Sequence, residues 1–141
     1  VVDYLGLLSP NGYDQVSATS RRLKIISTEL GIPVLVACQL SRKINSRDDK
    51  KPQTDDLRDS GQIEQDADKI WMLYRPGYYS QTADPKRSTL YVRKNRDGKL
   101  GKLYMTWEAD YTLFKIPPPS EKKPKQTTFD DETRQALDDV Y

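Results

Sequence analysis

Val1-Val2-Asp3-Tyr4-Leu5-Gly6-Leu7-Leu8 and Pro33-Val34-Leu35-Val36-Ala37-Cys38 are two short apolar runs with a helical pattern between them. Runs of this length suit strands covered on both faces, because a parallel strand buried above and below has no polar side to show. Between them, Ser9-Pro10-Asn11-Gly12 forms a turn cluster, and Asp14 can cap a helix running to about Leu30. Val16, Leu23, Ile26 and Leu30 recur at helical spacing, while Arg21, Arg22 and Lys24 fall on its more exposed sides. Gly31 and Pro33 end it, Gly31 at the position that tolerates left-handed geometry. Strand, helix, strand in this order is a βαβ unit, so the two strands run parallel with a right-handed crossover. Ligands of such sheets gather at the carboxyl ends of the strands. Attention therefore falls on residues 3–8 and on Gln39.

Downstream, residues 41–60 interleave Arg42, Lys43, Arg47, Lys50, Lys51 and Arg58 with aspartates. A loop of that length is usually functional or disordered. Residues 62–68 suit a helical turn or two, and 69–74 read as a third strand. A Pro-, Gly- and Tyr-rich excursion follows through Arg87. Residues 89–96, 102–107 and 111–116 read as strands, turned at Asp97-Gly98 and at Glu108-Ala109-Asp110. The chain is thus mixed α/β, with a parallel βαβ unit and terminal antiparallel strands. After Ile116 come Pro117-Pro118-Pro119 and a charged stretch, and residues 117–141 read as a flexible tail with a short helix near its end.

Composition narrows the chemistry. The 141 residues hold 23 Lys+Arg, 21 Asp+Glu, one cysteine and no histidine, and 35% are hydrophobic. That length is one domain or part of one, and so low an apolar share places some of the chain outside any core. Without histidine there is no His-based triad, His-ligated metal or His proton shuttle. One cysteine builds neither a zinc-thiolate site nor an internal disulfide, which suits a reducing compartment. No apolar run approaches the roughly 18 residues of a spanning helix. The opening residues do not read as a signal peptide, and the chain starts without Met. A net charge of +2 does not by itself point to nucleic acid.

Several residues carry two readings each. Asp3 can hold the water shell of a nucleotide-bound Mg²⁺, or cap a turn as strand-end aspartates do. Gln39 can donate to a γ-phosphate and accept from the attacking water, or simply bond local backbone. The stretch Asp56-Leu57-Arg58-Asp59-Ser60-Gly61 can present backbone N–H groups to a phosphate, with Gly61 allowing close approach, or form a solvated loop in which acids cancel cations. Lys94 and Arg96 stand two apart in a strand and so share a side. They can complete a site on another molecule, as an arginine finger does, or decorate an exposed strand face. Glu64, Asp66 and Asp68 lack the Gly and closing Glu of a calcium loop and read as a solvated polar face. Cys38 reads as a core residue. Tyr78-Tyr79 can stack bases or bury part of their rings.

The order of these features is more telling than any one of them. Val1-Val2-Asp3-Tyr4-Leu5, Gln39-Leu40-Ser41-Arg42, the long run from Asp56 through Gly61 and Ile63 to Asp68, and Lys94-Asn95-Arg96-Asp97-Gly98 together resemble the DnaB-type replicative DNA helicases over residues 1–116. The resemblance implies the C-terminal portion of a RecA-like motor domain, in a protein that unwinds duplex DNA with ATP and Mg²⁺. Such a protein works as a homo-hexamer translocating 5′ to 3′ on single-stranded DNA, with primase and a helicase loader as partners, in the cytoplasm and with no membrane attachment. It further implies Asp3 as the acid behind the metal's water, Gln39 as the γ-phosphate sensor and Lys94 with Arg96 as cations reaching a neighbour's ATP. Arg58, Asp59 and Gly61 match the loop that touches DNA phosphates.

The sequence departs from the family at Asn95, where glutamine is usual, at Asp97 for asparagine and at Lys99 for proline. Residues 75–88 match no motif. No G-x-x-x-x-G-K-[ST] loop occurs, and the family's catalytic glutamate lies upstream of Val1. The chain is therefore expected to be part of a larger protein and not to hydrolyse ATP alone. Alternative readings are another RecA-like ATPase, such as a phage primase-helicase or a recombinase, or a non-catalytic nucleic-acid-binding module.

Overall fold

The computed structural model describes residues 1–8, 13–57 and 60–117. The tail beyond Pro117 and the turn cluster at 9–12 lie outside those residues. The two apolar runs meet in parallel, with Val2 opposite Val36. The Val2 N–H donates to the Leu35 carbonyl and the Ala37 N–H to the Val2 carbonyl, each at 2.8 Å. The pairing is a single bridge, shorter than the strands expected. Beyond it the chain winds into a 3₁₀ turn at Leu5–Leu7, seated by the buried Leu5. Gly6 lies under the Tyr4 ring, where a Cβ would come within 2.7 Å.

Helix α1, Tyr13–Leu30, makes the crossover and ends at Gly31, whose φ of 62° is left-handed. Its buried face holds Val16 and Ser20, while Ile26 and Leu30 stay exposed. The expected stripe holds at Val16 and in part at Leu23 but fails at Ile26 and Leu30, because α1 packs on α2, Ser60–Asp66, and on the Leu5–Leu7 turn. There Ser20, Arg21 and Lys24 meet aspartates. The double-sided burial expected of the second run is also absent, with Leu35 56% exposed.

Residues 69–115 form an antiparallel meander, β1 Lys69–Tyr74, β2 Arg87–Asn95, β3 Gly101–Glu108 and β4 Leu113–Lys115, in sequence order. A short helix, α3 Pro76–Tyr79, interrupts the β1–β2 connection. β1 alternates as a half-buried strand should. Ile70 and Met72 point inward while Trp71 and Leu73 are exposed. Ile70 and Met72 join Leu57 in the core, with Cys38, Leu40, Ile63, Ala67 and Tyr91 packed around them. Cys38 thus packs against the core as expected. Each such aliphatic side chain contributes about 1.5–3 kcal/mol when removed from water.

The described part of the 41–60 segment is folded, although Arg42, Lys43, Asp48 and Asp49 stay exposed. Arg47 grips Asp56 through two bonds, Nη1 to Oδ1 at 3.1 Å and Nη2 to Oδ2 at 2.9 Å. The Gln53 N–H adds a third at 2.8 Å. Forked Arg–carboxylate pairs are directional as well as strong, so a buried Asp56 can fix the loop. Ile44 and Pro52 are buried beneath it.

Candidate functional site

Because Val2 and Val36 are parallel partners, Asp3 and Gln39 leave the pair at the same end. Both are exposed, and neither side chain pairs with another described residue. An unengaged carboxylate keeps all its lone pairs for the water shell of a hard, oxygen-seeking cation, so the donor fits Mg²⁺. The Gln39 amide offers a donor and an acceptor on one group. Its backbone runs on into Leu40, which bridges antiparallel to Leu57, and the Ser41 N–H donates to the Asp56 carbonyl at 2.6 Å. The segment leaving Gln39 is therefore tied directly to the residues before position 58.

Arg58 and Asp59 lie outside the described residues. Gly61 stands in the first turn of α2 and is exposed. The described residues on either side are held in place. Leu57 is buried upstream. Downstream, the buried Asp66 accepts from Ser20 Oγ at 3.0 Å, Arg21 Nη1 at 3.2 Å and Gln62 Nε2 at 2.9 Å.

The expected solvated face is thus corrected at Asp66 and Asp68. Asp68 binds Lys24 Nζ at 2.6 Å and Arg96 Nη1 at 3.3 Å. The hydrogen bond from Lys24, and then the charges of Lys24, Arg96 and Lys94, outweigh burial and hold its carboxyl below the usual range. Sequence spacing showed the acids but not the cations, which come from residues far away along the chain. Among the described residues no cluster of acids, Cys or His is arranged to hold a metal ion.

Lys94 and Arg96 share a side, but a β-bulge decides which. Trp71 pairs with Val92 while Ile70 pairs with Lys94, leaving Arg93 as the extra residue. Cross-strand partners lie on one face, so regular alternation would have put Lys94 with Val92 and Trp71 on the outer face. The bulge turns it onto the face of Ile70, toward the core and α2. There Lys94 Nζ donates to the carbonyls of Glu64 and Gln65, and Arg96 Nη2 to that of Gln65 at 3.3 Å. The Arg96 N–H also donates to the Asp68 carbonyl at 2.9 Å. The reading of an idle strand face is therefore set aside.

This end of β2 overhangs its neighbour, since pairing with β3 stops at Val92 opposite Gly101. The departures at 95 and 99 fit together in the overhang. Asn95 Nδ2 donates to the Lys99 carbonyl at 3.1 Å and crosses Gly98, where a Cβ would sit 2.6 Å from that nitrogen. A Cβ there would push the Asn95 amide aside, so glycine lets that hydrogen bond form undisturbed.

Residues 75–88, which match no motif, carry an aromatic cluster in which Tyr79 buries part of its ring as one of its two readings expected. Tyr79 is half-buried against Tyr74 at 5.9 Å, whereas Tyr78 is exposed. Burial raises the hydroxyl pKa of Tyr74 and Tyr79. Arg75 stacks 4.0 Å over the Trp107 ring. Arg75 Nε, Trp107 Nε1 and Ser88 Oγ are buried without a partner among the described residues. Local sequence carried no sign of this, because Trp107 and Arg75 come together only through the sheet.

Comparison with known proteins agrees with the geometry. The family model of the DnaB-like helicase C-terminal domain matches residues 1–116. The chain is 47% identical over 104 residues to a probable plasmid replicative DNA helicase of Chlamydia psittaci, covering 70% of this chain and 23% of that one. To the replicative DNA helicase DnaB of Geobacillus stearothermophilus it is 38% identical over 121 residues, 81% of this chain and 27% of the relative. It thus spans about a quarter of the length of the curated relatives it matches. Among solved structures, a DnaB-like replicative helicase, described with its interactions with primase, superposes with a TM-score of 0.76 at 38% identity, over 82% of this chain and 29% of that one. A separately solved ATPase domain gives the same score and identity over 82% and 43%. With a RecA-like helicase fold and this match over nearly all of its described length, the chain belongs to the DnaB-like helicase C-terminal domain family.

Proposed function

We propose that this chain works as the rear portion of an ATP-driven replicative helicase motor, one subunit of a homo-hexameric ring that translocates 5′ to 3′ on single-stranded DNA. Residues 1–116 are the motor portion in this reading, and 117–141 a charged tail. The observation that carries it is one continuous connection. Gln39 leads into Leu40, Leu40 bridges Leu57 ahead of the Arg58–Gly61 loop, and α2 runs from that loop to the carbonyls held by Lys94 and Arg96.

Each station has a role. Asp3 would hold the water shell of Mg²⁺, which neutralises phosphate charge when bound. Gln39 senses the γ-phosphate and orients the attacking water. Arg58, Asp59 and Gly61 grip DNA phosphates, a sequence-independent and salt-sensitive contact. Lys94 and Arg96 reach ATP held by the neighbouring subunit, where cations stabilise the charge that builds during phosphoryl transfer. When the γ-phosphate leaves, these cations lose their ligand, the interface loosens and the DNA-gripping loop moves with its subunit. The nucleotide's phosphate-cradling loop would come from the remaining part of a longer subunit, and this chain alone would not turn over ATP.

Primase as a partner is supported by the structural neighbour described with it. A loader and a cytoplasmic setting follow from the same family reading. No helix among the described residues is long and apolar enough to cross a membrane. The test is Arg58→Glu in the complete subunit. We expect single-stranded DNA binding to weaken with ATP affinity unchanged, whereas unaltered DNA binding, or equal loss of both, contradicts the assignment.

A further inference from the structure

The head groups of Lys94 and Arg96 are held in cis at one spot. Lys94 Nζ bonds the Glu64 and Gln65 carbonyls, and Arg96 bonds the Gln65 carbonyl and the Asp68 carboxylate. Asp68 is in turn braced from α1 by Lys24 at 2.6 Å. A guanidinium carries five N–H donors and an ammonium three, so these contacts leave donors on both groups for a phosphate. Arg96 remains about half exposed despite its two cis partners. The contacts therefore immobilise the two cations without consuming them.

Resting on the reading of Lys94 and Arg96 as cations that serve a neighbour's ATP, we infer that Asp68 is a positioning residue for that pair. Its carboxylate fixes Arg96 against the last turn of α2, and Lys24 fixes the carboxylate against α1. A long side chain pinned at both its backbone and its head loses little further freedom when it meets a phosphate. Asp68 also binds Arg96 twice, through its carbonyl to the Arg96 N–H and through its side chain, so the cation tracks the end of α2. Because α2 starts at the DNA loop, Asp68 transmits the position of that loop to the cation.

The experiment uses complete subunits carrying Asp68→Ala, Asp68→Asn or Lys24→Met. For Asp68→Ala we expect kcat of DNA-stimulated hydrolysis to fall by about 100-fold, the scale of a misplaced catalytic group, with KM and ATP affinity unchanged. Asp68→Asn, which keeps an acceptor, should recover most of that rate, and Lys24→Met should lose less than Asp68→Ala. Asp68→Ala is then mixed with Asp3→Ala, which lacks the acid proposed to hold the metal's water shell but retains Arg96. Activity returning in the mixture places the Asp68 defect in what a subunit gives its neighbour. No recovery, an unchanged or raised kcat, or a matching rise in KM overturns the inference. Arg96→Ala, run beside it, separates the two layers. If Arg96→Ala is also harmless, the trans reading itself fails. If Arg96→Ala abolishes turnover and complements Asp3→Ala while Asp68→Ala does neither, only the role of Asp68 fails.

Discussion

β1 meets β2 along a ladder that runs from Lys69 opposite Asn95 to Tyr74 opposite Thr89, whereas the first apolar run meets the second at one bridge, Val2 opposite Val36, and one further bond from the Leu5 N–H to the Ala37 carbonyl at 3.0 Å. The sheet places Met72 at 2% exposure, while the parallel pair leaves Leu35 56% exposed. Both regions use Val and Leu, so composition alone does not separate them. They differ in how many neighbours each strand has to pair with. Residues that must respond to a ligand belong where local opening is cheap, and Asp3 and Gln39 stand on the weakly paired region. Lys94 and Arg96 stand at the rim of the strong one, on an overhang paired only to β1. In the proposed reading the site divides into a rigid presenter and a compliant sensor, with Asp66 and Asp68 tying α1 to α2 and to Arg96 between them.

The largest expected effect lies at the rim. Arg96→Ala in the complete subunit should lower hydrolysis by at least about 1,000-fold, as loss of a charge-stabilising arginine does in phosphoryl transfer. Next comes the core of the sheet. Met72→Ala should destabilise by about 2–5 kcal/mol in urea unfolding, because it leaves a cavity beside Leu57 and Ile70. Val36→Ala should stay within about 1 kcal/mol. Equal costs for the two would erase the contrast between the regions. Hydrogen exchange sharpens the same point, with amides of residues 89–92 expected to outlast those of Val2 and Ala37.

The joint between the regions should show an intermediate cost. Asp66→Ala strands the donors of Ser20, Arg21 and Gln62 and should cost about 1–3 kcal/mol, unlike a solvated acid. The smallest effect is with pH. Since Asp68 has a depressed folded pKa, its contribution is present above the ordinary carboxylate value of about 3.9 and is lost as pH falls through the lower folded value. At 44% exposure that contribution is modest. Asp68→Asn should flatten the acid limb slightly, and an unchanged limb would remove the ion pair from the account.

Much of this architecture was legible where the signal is local. The strand at Lys69–Tyr74, the reach of α1 to Leu30 and the turn at Asp97-Gly98 follow from apolar runs, periodicity and turn chemistry, although which side of that strand faces the core does not. The shared end of Asp3 and Gln39 follows from parallel topology. What stayed hidden depends on partners distant in sequence. The bulge at Arg93 exists only in the register of β2 against β1, and it decides where Lys94 points. Asp56 and Asp66 look like any surface acids until Arg47, Ser20 and Arg21 fold onto them. Ile26 and Leu30 match a core stripe that the packing of α1 on α2 does not use.

The central claim is that the rim of the sheet acts on another subunit's nucleotide. Its most direct test is to mix complete wild-type subunits with increasing fractions of Arg96→Ala subunits that still bind ATP, and to record hydrolysis against the fraction added. A trans role gives a loss steeper than the mutant fraction, because each altered subunit silences a wild-type neighbour. A fall in strict proportion to the fraction would mean that Arg96 serves only its own subunit, and would contradict the account.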